Sequence, residues 1–340
     1  MSKPLGVVVT RPLPTSFPRE LFEERVTFTT APTGDELRKA VQTADVLYSW
    51  DVPSNIPAET PHLRWIELPS AGADHLRGLP VWDSDITITS SRGVHIVPMA
   101  DHLFAMLLSL TRQIPAFVRA QDKHDWLSHA EVGRLHISEL RGMTMGIVGW
   151  GKIGDGIAHL ADAFGMRVLG TRWSIHAPRE VDRGAEAYAN PPWLQPEDLP
   201  PNVVFPAAQL HDVLDQSDVV VLLLPLTPET HHSFGPAEFG AMRRGTLFFN
   251  LGRGSVVNDD ALVAALRSGR LAGAGLDVTD PEPLPRTSPL WSFPQVIISP
   301  HVAGMSRRTG ERAANLFAVN LSRYLEGRPL LNVVDRHRGY

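Results

Sequence analysis

Three polar side chains of complementary chemistry each follow an apolar run in the second half of the chain. Arg253 stands in Asn250-Leu-Gly-Arg-Gly-Ser255, after the run Thr246–Asn250. Glu282 stands in Asp277-Val-Thr-Asp-Pro-Glu-Pro283, after Gly273–Val278, and His301 in Ser299-Pro-His-Val-Ala-Gly304, after Gln295–Ser299. An arginine offers a planar fork that matches a carboxylate. An imidazole holds or releases a proton near neutral pH. A carboxylate beside it accepts from one ring nitrogen, orients the ring and favours its protonated form. Such a trio could anchor an organic acid and move a proton at the neighbouring group. Asp280 is the rival acid to Glu282.

A second constellation is Gly149-Trp-Gly-Lys-Ile-Gly154, a G-x-G-x-x-G run. Alone it is weak. Here it follows the apolar stretch Thr144–Val148 and opens a helical pattern, Ile153–Phe164, which is the context the motif requires. Gly149 permits a tight turn, Gly151 a close backbone approach to a pyrophosphate, and Gly154 close packing of helix on strand. Lys152 and Ile153 open the helix, whose first N–H groups can face phosphate oxygens. An acid about 20 residues further on usually binds a ribose 2′-hydroxyl in such folds. Arg172 occupies that region, followed by Trp173 and Ser174. An arginine cannot accept from a hydroxyl, but it can fork onto a 2′-phosphate and stack on adenine. NADP(H) is therefore favoured and NAD(H) remains possible; His176 or Arg179 could add charge.

These residues need strand ends to converge. From Met143 to about Pro300, six apolar runs alternate with helical patterns: Met143–Val148, Met166–Gly170, Asp218–Leu224, Thr246–Asn250, Gly273–Val278 and Gln295–Ser299. Such runs separated by helices predict a doubly wound parallel sheet, whose ligands bind outside the carboxyl ends of the strands. The first 97 residues repeat the alternation on a smaller scale, with strands at Leu5–Thr10, Val26–Thr29, Val46–Ser49, Arg64–Leu68 and Ile86–Thr89 and a helix at Asp35–Thr43. A long helix from Met99 to Gln121 should be kinked or split by Pro115. Arg307–Gly327 reads as one amphipathic helix that returns to the first domain, with Ala313, Leu316, Phe317, Val319 and Leu321 inward. The proline-rich stretch 174–206 reads as a surface loop, or else as an excursion that shapes the adenosine end of the cofactor site.

The bulk composition excludes several classes. At 340 residues, 43% hydrophobic and 20% charged, with a net charge of −5, the chain has the size of a two-domain globular enzyme and no polybasic stripe for nucleic acid. With no cysteine, disulfides, thiolate metal sites and a cysteine nucleophile are excluded. His95, His102, His124 and His129 show no metal-ligand spacing with carboxylates, so no metal is expected. Without a signal-like or membrane-spanning apolar run, the expected location is the cytoplasm, away from membranes.

With Ser70-Ala-Gly-Ala-Asp-His75, Leu140–Gly154, Leu224-Pro-Leu-Thr-Pro-Glu-Thr230, Asn250–Gly254, Gly275-Leu-Asp-Val278, Glu282-Pro and Pro300-His301 in this order, the sequence resembles the D-isomer-specific 2-hydroxyacid dehydrogenases, and among them the glyoxylate/hydroxypyruvate reductase-like, NADP-type members. The resemblance spans nearly the whole chain. It implies a Rossmann-type dinucleotide domain, residues 98–301, inserted into a smaller flavodoxin-like α/β substrate domain, residues 1–97 with 302–340. It implies a homodimer. We expect its interface at Ala116–Leu135, with Trp126; the alternative for that segment is an intramolecular packing loop. The implied activity interconverts a small 2-keto acid of the glyoxylate, hydroxypyruvate or pyruvate type and its D-2-hydroxy acid. Arg253, Glu282 and His301 would be catalytic. The backbone of Ala71 and Gly72 would join Arg253 and His301 on the substrate. Trp50, after the run Val46–Ser49, reads equally as part of the substrate pocket or as a buried packing tryptophan. Leu224, Pro225, Thr230, Leu251, Gly252, Arg253, Asp277, His301 and Gly304 would line the cofactor, with Asp277 on its carboxamide. Asp101 departs from the family, where glutamate is common. A nucleotide-sensing dimeric scaffold of the corepressor type, with little turnover, is the alternative from another class.

Overall fold

The computed structural model describes residues 3–175, 179–181 and 202–336. The chain divides into two compact units, Met1–His95 with Ser306–Tyr340, and Ile96–Met305.

In the small unit, strands β1 (Leu5–Val9), β2 (Val26–Thr30), β3 (Val46–Tyr48), β4 (Trp65–Leu68) and β5 (Thr87–Ser90) form a parallel sheet of order β2-β1-β3-β4-β5. Every residue of β3 and β4 is buried, Glu67 of β4 included, which explains why these segments do not alternate apolar with exposed polar residues. Helix α1 (Gly34–Val41) follows β2. The amphipathic tail is also here, as α9 (Thr309–Leu325); the Phe317 ring stacks on Tyr48 at 4.6 Å and lies 5.5 Å from Trp65. Ala313, Phe317 and Leu321 face inward as expected, together with Ala314 and Asn320. Leu316 is half-buried, and Val319 is 48% exposed. Val319 stands two residues from Phe317, about 200° around the helix, so both cannot face the same core.

The large unit opens with α2 (Ile96–Thr111), α3 (Ile114–Asp122) and α4 (His129–Val132). The single long helix of the sequence is broken at Gln113, whose φ is 59°, and Pro115 lies in the first turn of α3, where its missing N–H costs nothing. The sheet then contains β6 (Thr144–Val148), β7 (Arg167–Arg172), β8 (Arg179–Val181), β9 (Asn202–Pro206), β10 (Val219–Leu222), β11 (Thr246–Asn250), β12 (Leu271–Leu276) and β13 (Val296–Ile298). Its order is β13-β12-β11-β10-β6-β7-β9-β8. The six runs read from the sequence all appear, but two more strands lie inside the proline-rich stretch expected to be a loop. β9 pairs in parallel with β7, and β8 caps that edge antiparallel. Asn202-Val-Val-Phe-Pro206 is short and flanked by prolines, which hid it; Pro206 is tolerated because it ends the strand.

With β9 counted, β9-β7-β6-β10-β11-β12 is the doubly wound order, which reverses between β6 and β10. Helices α5 (Lys152–Ala163), α6 (Leu210–Leu214), α7 (Pro236–Ala241) and α8 (Asp259–Arg267) connect these strands. Two apolar clusters form this unit's core. One gathers α2 and α5 against β6, the other α7 and α8 against β10 and β11. Among the described residues, no helix is long and apolar enough to cross a membrane.

Candidate active site

The glycine loop joins β6 to α5. Gly149 has φ 94°, and Gly151, in extended conformation, is the N-cap of α5. A glycine N-cap supplies no side-chain oxygen, so the N–H groups of the first turn, Lys152 onward, are left to an outside acceptor. A Cβ at Gly151 would meet nothing within 4 Å, so that backbone is open to close approach. Trp150 fills the space beneath: its indole N–H donates to Asp155 at 2.6 Å, and the side chain is buried against Gly170 and Gly154. The carbonyl of Thr171 accepts from the Gly149 and Trp150 N–H groups at 3.2 and 2.7 Å. That pairing sets Arg172, the next residue and exposed, beside the loop, with exposed Trp173 and Ser174 following. His176 lies outside the described residues, as does the side chain of Arg179.

Three strand-end loops meet here. A Cβ on Gly149 would crowd Leu223 and Leu224, and one on Gly252 would come within 2.6 Å of the Leu224 carbonyl. The turn after β10 is shaped by Thr230, whose hydroxyl donates to the Pro225 carbonyl at 2.6 Å and accepts from the Thr227 N–H at 2.8 Å. After β11, buried Asn250 accepts from the Gly252 N–H at 3.1 Å and donates to the Arg253 carbonyl at 3.0 Å. Arg253 reaches back to the Gly252 carbonyl at 2.9 Å. Gly254 then lies directly on the next loop. A Cβ there would sit 1.9 Å from the Thr279 carbonyl oxygen and 2.8 Å from the Asp280 nitrogen. Only glycine permits that contact, and it brings the Arg253 loop against the loop carrying Glu282.

Glu282 is fixed at both oxygens. Oε1 accepts from the Thr279 N–H at 3.2 Å, and Oε2 is 3.0 Å from His301 Nδ1. With Nδ1 so engaged, Nε2 on the opposite side of the ring is the atom left for a substrate proton. Both side chains are about half exposed, at 50% for His301 and 41% for Glu282. Asp280 instead faces His232 at 3.9 Å. Its neighbour Asp259, at the start of α8, has a carboxyl pushed up to about 6 by burial and then by Asp280 and Asp260, while His232 opposes the shift.

His301 has φ 55°, unusual for a residue with a side chain. Asp277, only 3% exposed, holds the turn: Oδ1 accepts from Val302 N–H and Oδ2 from Ala303 N–H, both at 2.9 Å, and its main-chain carbonyl accepts from His301 N–H at 2.8 Å. Ser299 donates to Oδ1 at 2.6 Å, and His102 of α2 stands 2.9 Å from that hydroxyl. Sequence reasoning assigned Asp277 to the cofactor and missed Ser299 and His102. Ser299 could have been found as a hydroxyl just before Pro300-His301, whereas a histidine inside a helix gave no signal.

In the small unit, Trp50 follows β3 and Ala71-Gly72 follow β4, at the carboxyl ends of neighbouring strands. Trp50 is 53% exposed and stacks on His75 at 5.3 Å with an 8° interplanar angle.

The family described as D-isomer specific 2-hydroxyacid dehydrogenase, NAD binding domain, matches residues 104–303. The chain belongs to the D-isomer-specific 2-hydroxyacid dehydrogenases. A glyoxylate reductase from Aeropyrum pernix is 31% identical over 315 residues, covering 90% of this chain and 87% of its own. A glyoxylate/hydroxypyruvate reductase B from Citrobacter koseri is 31% identical and covers 97% of this chain and 98% of its own. Among solved structures, a D-isomer specific 2-hydroxyacid dehydrogenase from Xanthobacter autotrophicus Py2, in complex with NADPH and MES, superposes with a TM-score of 0.77 at 29% identity, covering 99% of this chain and 100% of that one. This dehydrogenase is therefore an enzyme with a dinucleotide-binding α/β unit, and the bare, uncapped glycine loop fits such a group.

Proposed function

We propose that this dehydrogenase reduces a small 2-keto acid of the glyoxylate, hydroxypyruvate or pyruvate type to its D-2-hydroxy acid, with NADP(H) preferred and NAD(H) possible. The observation that carries the reading is the 3.0 Å contact of His301 Nδ1 with a Glu282 carboxylate that is itself held by a backbone N–H. The hydride reaches the carbonyl carbon from a reduced nicotinamide when one is bound. His301 Nε2 donates its proton to the carbonyl oxygen as the alkoxide forms, and takes it back in oxidation. Glu282 stabilises the charged ring and fixes its orientation. Arg253 pairs with the substrate carboxylate and helps polarise the carbonyl.

Gly149, Gly151, Lys152, Ile153 and Gly154 are assigned to the pyrophosphate, and Arg172 with Trp173 and Ser174 to the 2′-phosphate and adenine. Leu224, Pro225, Thr230, Leu251, Gly252 and Gly304 are assigned to the rest of the cofactor, with Asp277 toward its carboxamide. Trp50 is a proposed substrate contact on its place after β3 and its exposure, and Ala71 and Gly72 are proposed substrate contacts on the family resemblance. A homodimer is proposed on the same ground, supported by apolar side chains exposed on and after α3: Ile114 at 45%, Val118 at 48% and Trp126 at 96%. The cytoplasm is the proposed location.

The test is the initial rate of cofactor oxidation with NADPH and NADH across glyoxylate, hydroxypyruvate, pyruvate and phenylpyruvate. NADPH should win, and Arg172→Asp should lower kcat/KM for NADPH by about ten- to a hundred-fold, the worth of a charge-assisted hydrogen bond. Equal rates with both cofactors, unchanged in the variant, would remove Arg172 from phosphate binding. No turnover with any pair would remove the reductase reading.

A further inference from the structure

We propose that His102, in the middle of α2, is a positioning residue for His301, acting through Ser299 and Asp277. This rests on the reading of His301 as the group that moves the substrate proton. The three side chains form a chain of contacts: His102 Nε2 to Ser299 Oγ at 2.9 Å, then Ser299 Oγ to Asp277 Oδ1 at 2.6 Å. The direct distance from His102 Nε2 to Asp277 Oδ1 is 3.7 Å, so the serine hydroxyl is the link between them.

The carboxylate fixes the direction of this chain. An ionised Asp277 only accepts hydrogen bonds. The single Ser299 hydroxyl proton therefore goes to Asp277, and the serine oxygen accepts from His102. His102 must carry a proton on Nε2 for the chain to close.

Asp277 is the point where this brace meets the turn. The N–H groups of His301, Val302 and Ala303, three in succession, all end on Asp277, one on its main-chain carbonyl and two on its carboxylate. That convergence holds His301 at a φ of 55°, a conformation that persists only when its surroundings over-determine it. The far end of the brace is a 16-residue helix packed in the apolar core, 197 residues from Ser299 in sequence. His102 ties the turn to that helix.

Without the His102 donor, the Ser299 hydroxyl loses the partner that aligns it, and one of the contacts setting the Asp277 carboxylate slackens. The His301 ring then samples orientations in which Nε2 is misdirected. Misorientation of a proton donor penalises the chemical step more than binding. The signature is a fall in kcat with the Michaelis constants little changed.

Steady-state kinetics with NADPH and the best keto acid should be compared for the wild type, His102→Leu, His102→Gln, Ser299→Ala and the Leu/Ala double variant, with melting temperature and NADPH affinity measured on each. His102→Leu should lose about ten-fold in kcat, the scale of coupling within one hydrogen-bond network, while NADPH affinity stays within about two-fold. His102→Gln, whose Nε2 can still donate, should recover most of the rate. Ser299→Ala should lose a similar factor, and the double variant no more than the worse single, because the links act in series. The deuterium isotope effect with 4-deuterated NADPH should rise as chemistry becomes slower. Unchanged kcat in both single variants, losses that multiply in the double, or equal losses in the Leu and Gln variants tracking melting temperature would each overturn the proposal. His301→Asn is the control. If it keeps turnover, the reading of His301 fails; if it abolishes turnover while His102→Leu does not slow the enzyme, only the present inference fails.

Discussion

Glu67 of the small unit and Asp277 of the large one are both buried carboxylates, and they are held in opposite ways. Glu67 sits within strand β4, fully buried, and meets side chains: the Thr89 hydroxyl, and Asn320 of α9 at 2.9 Å. Its other oxygen has no hydrogen-bond partner among the described residues. Burial pushes its carboxyl up to about 7, against the lowering contributed by Thr89 and Asn320. Asp277 follows strand β12 and meets backbone N–H groups, with Ser299 in addition. A carboxylate fed by backbone donors is part of the loop's own geometry. One fed by two side chains is a stitch between elements: Asn320 also accepts from Leu331 N–H at 2.8 Å, so Glu67 helps tie the tail of the chain to the sheet. Asp277 should therefore govern turnover and Glu67 stability.

Asp277→Asn is the sharpest way to break that contrast and should have the largest effect. An amide keeps one acceptor oxygen and turns an NH2 toward a backbone donor, leaving a buried N–H unpaired at about 1–3 kcal/mol. Turnover should fall by about a hundred-fold, towards the upper end of what that cost implies, because His301 loses its orientation as well. Turnover near the wild-type level would show that the backbone holds the His301 turn without the carboxylate.

Gly254→Ala tests whether the large unit's site depends on backbone contact. The added methyl would enter the Thr279 carbonyl oxygen and force the Arg253 and Glu282 loops apart. Overpacking of this kind costs about 1–3 kcal/mol, and kcat should drop with the melting temperature. A variant with native kcat would mean that the two loops need not touch.

The small unit's carboxylate should produce the mildest change, visible only in the pH dependence of stability. The Glu67 carboxyl titrates at about 7 in the folded chain against an ordinary 4.5. The folded state thus holds an extra proton between those values. This contribution is complete below the lower value, declines as pH rises towards 7 and is gone above it, to a total of at most about 3 kcal/mol. Glu67→Gln should flatten that slope, raise the melting temperature above pH 7 and leave kcat unaltered. Identical slopes in both proteins would assign the titration elsewhere.

Much of this was legible from the sequence because the informative residues follow apolar runs. A parallel sheet buried on both faces writes each strand as such a run, and its ligand groups come next in the chain, so Arg253, Glu282 and His301 could be read together with the glycine loop. β9 was not legible: Val203-Val-Phe205 is too short to stand out between prolines, and its claim to being a strand rests on its partners β7 and β8. Choosing Glu282 over Asp280 needed the family pattern, since both acids follow β12; in the fold, Glu282 faces His301 while Asp280 faces His232. The bracing role of Asp277 and the place of His102 depend on contacts across the fold that no local spacing encodes. Val319 was misplaced because a helical stripe was drawn too wide.

The packing of Trp150 over Gly170 carries a consequence for how such chains diverge. A Cβ at position 170 would lie 2.2 Å from the indole ring, and Trp150 is held in place by its bond to Asp155. Positions 150 and 170 are therefore not independent letters. A lineage that gains a side chain at 170 must first shrink the residue at 150, and one that acquires tryptophan at 150 commits 170 to glycine, so substitutions at the two sites should be inherited as a pair.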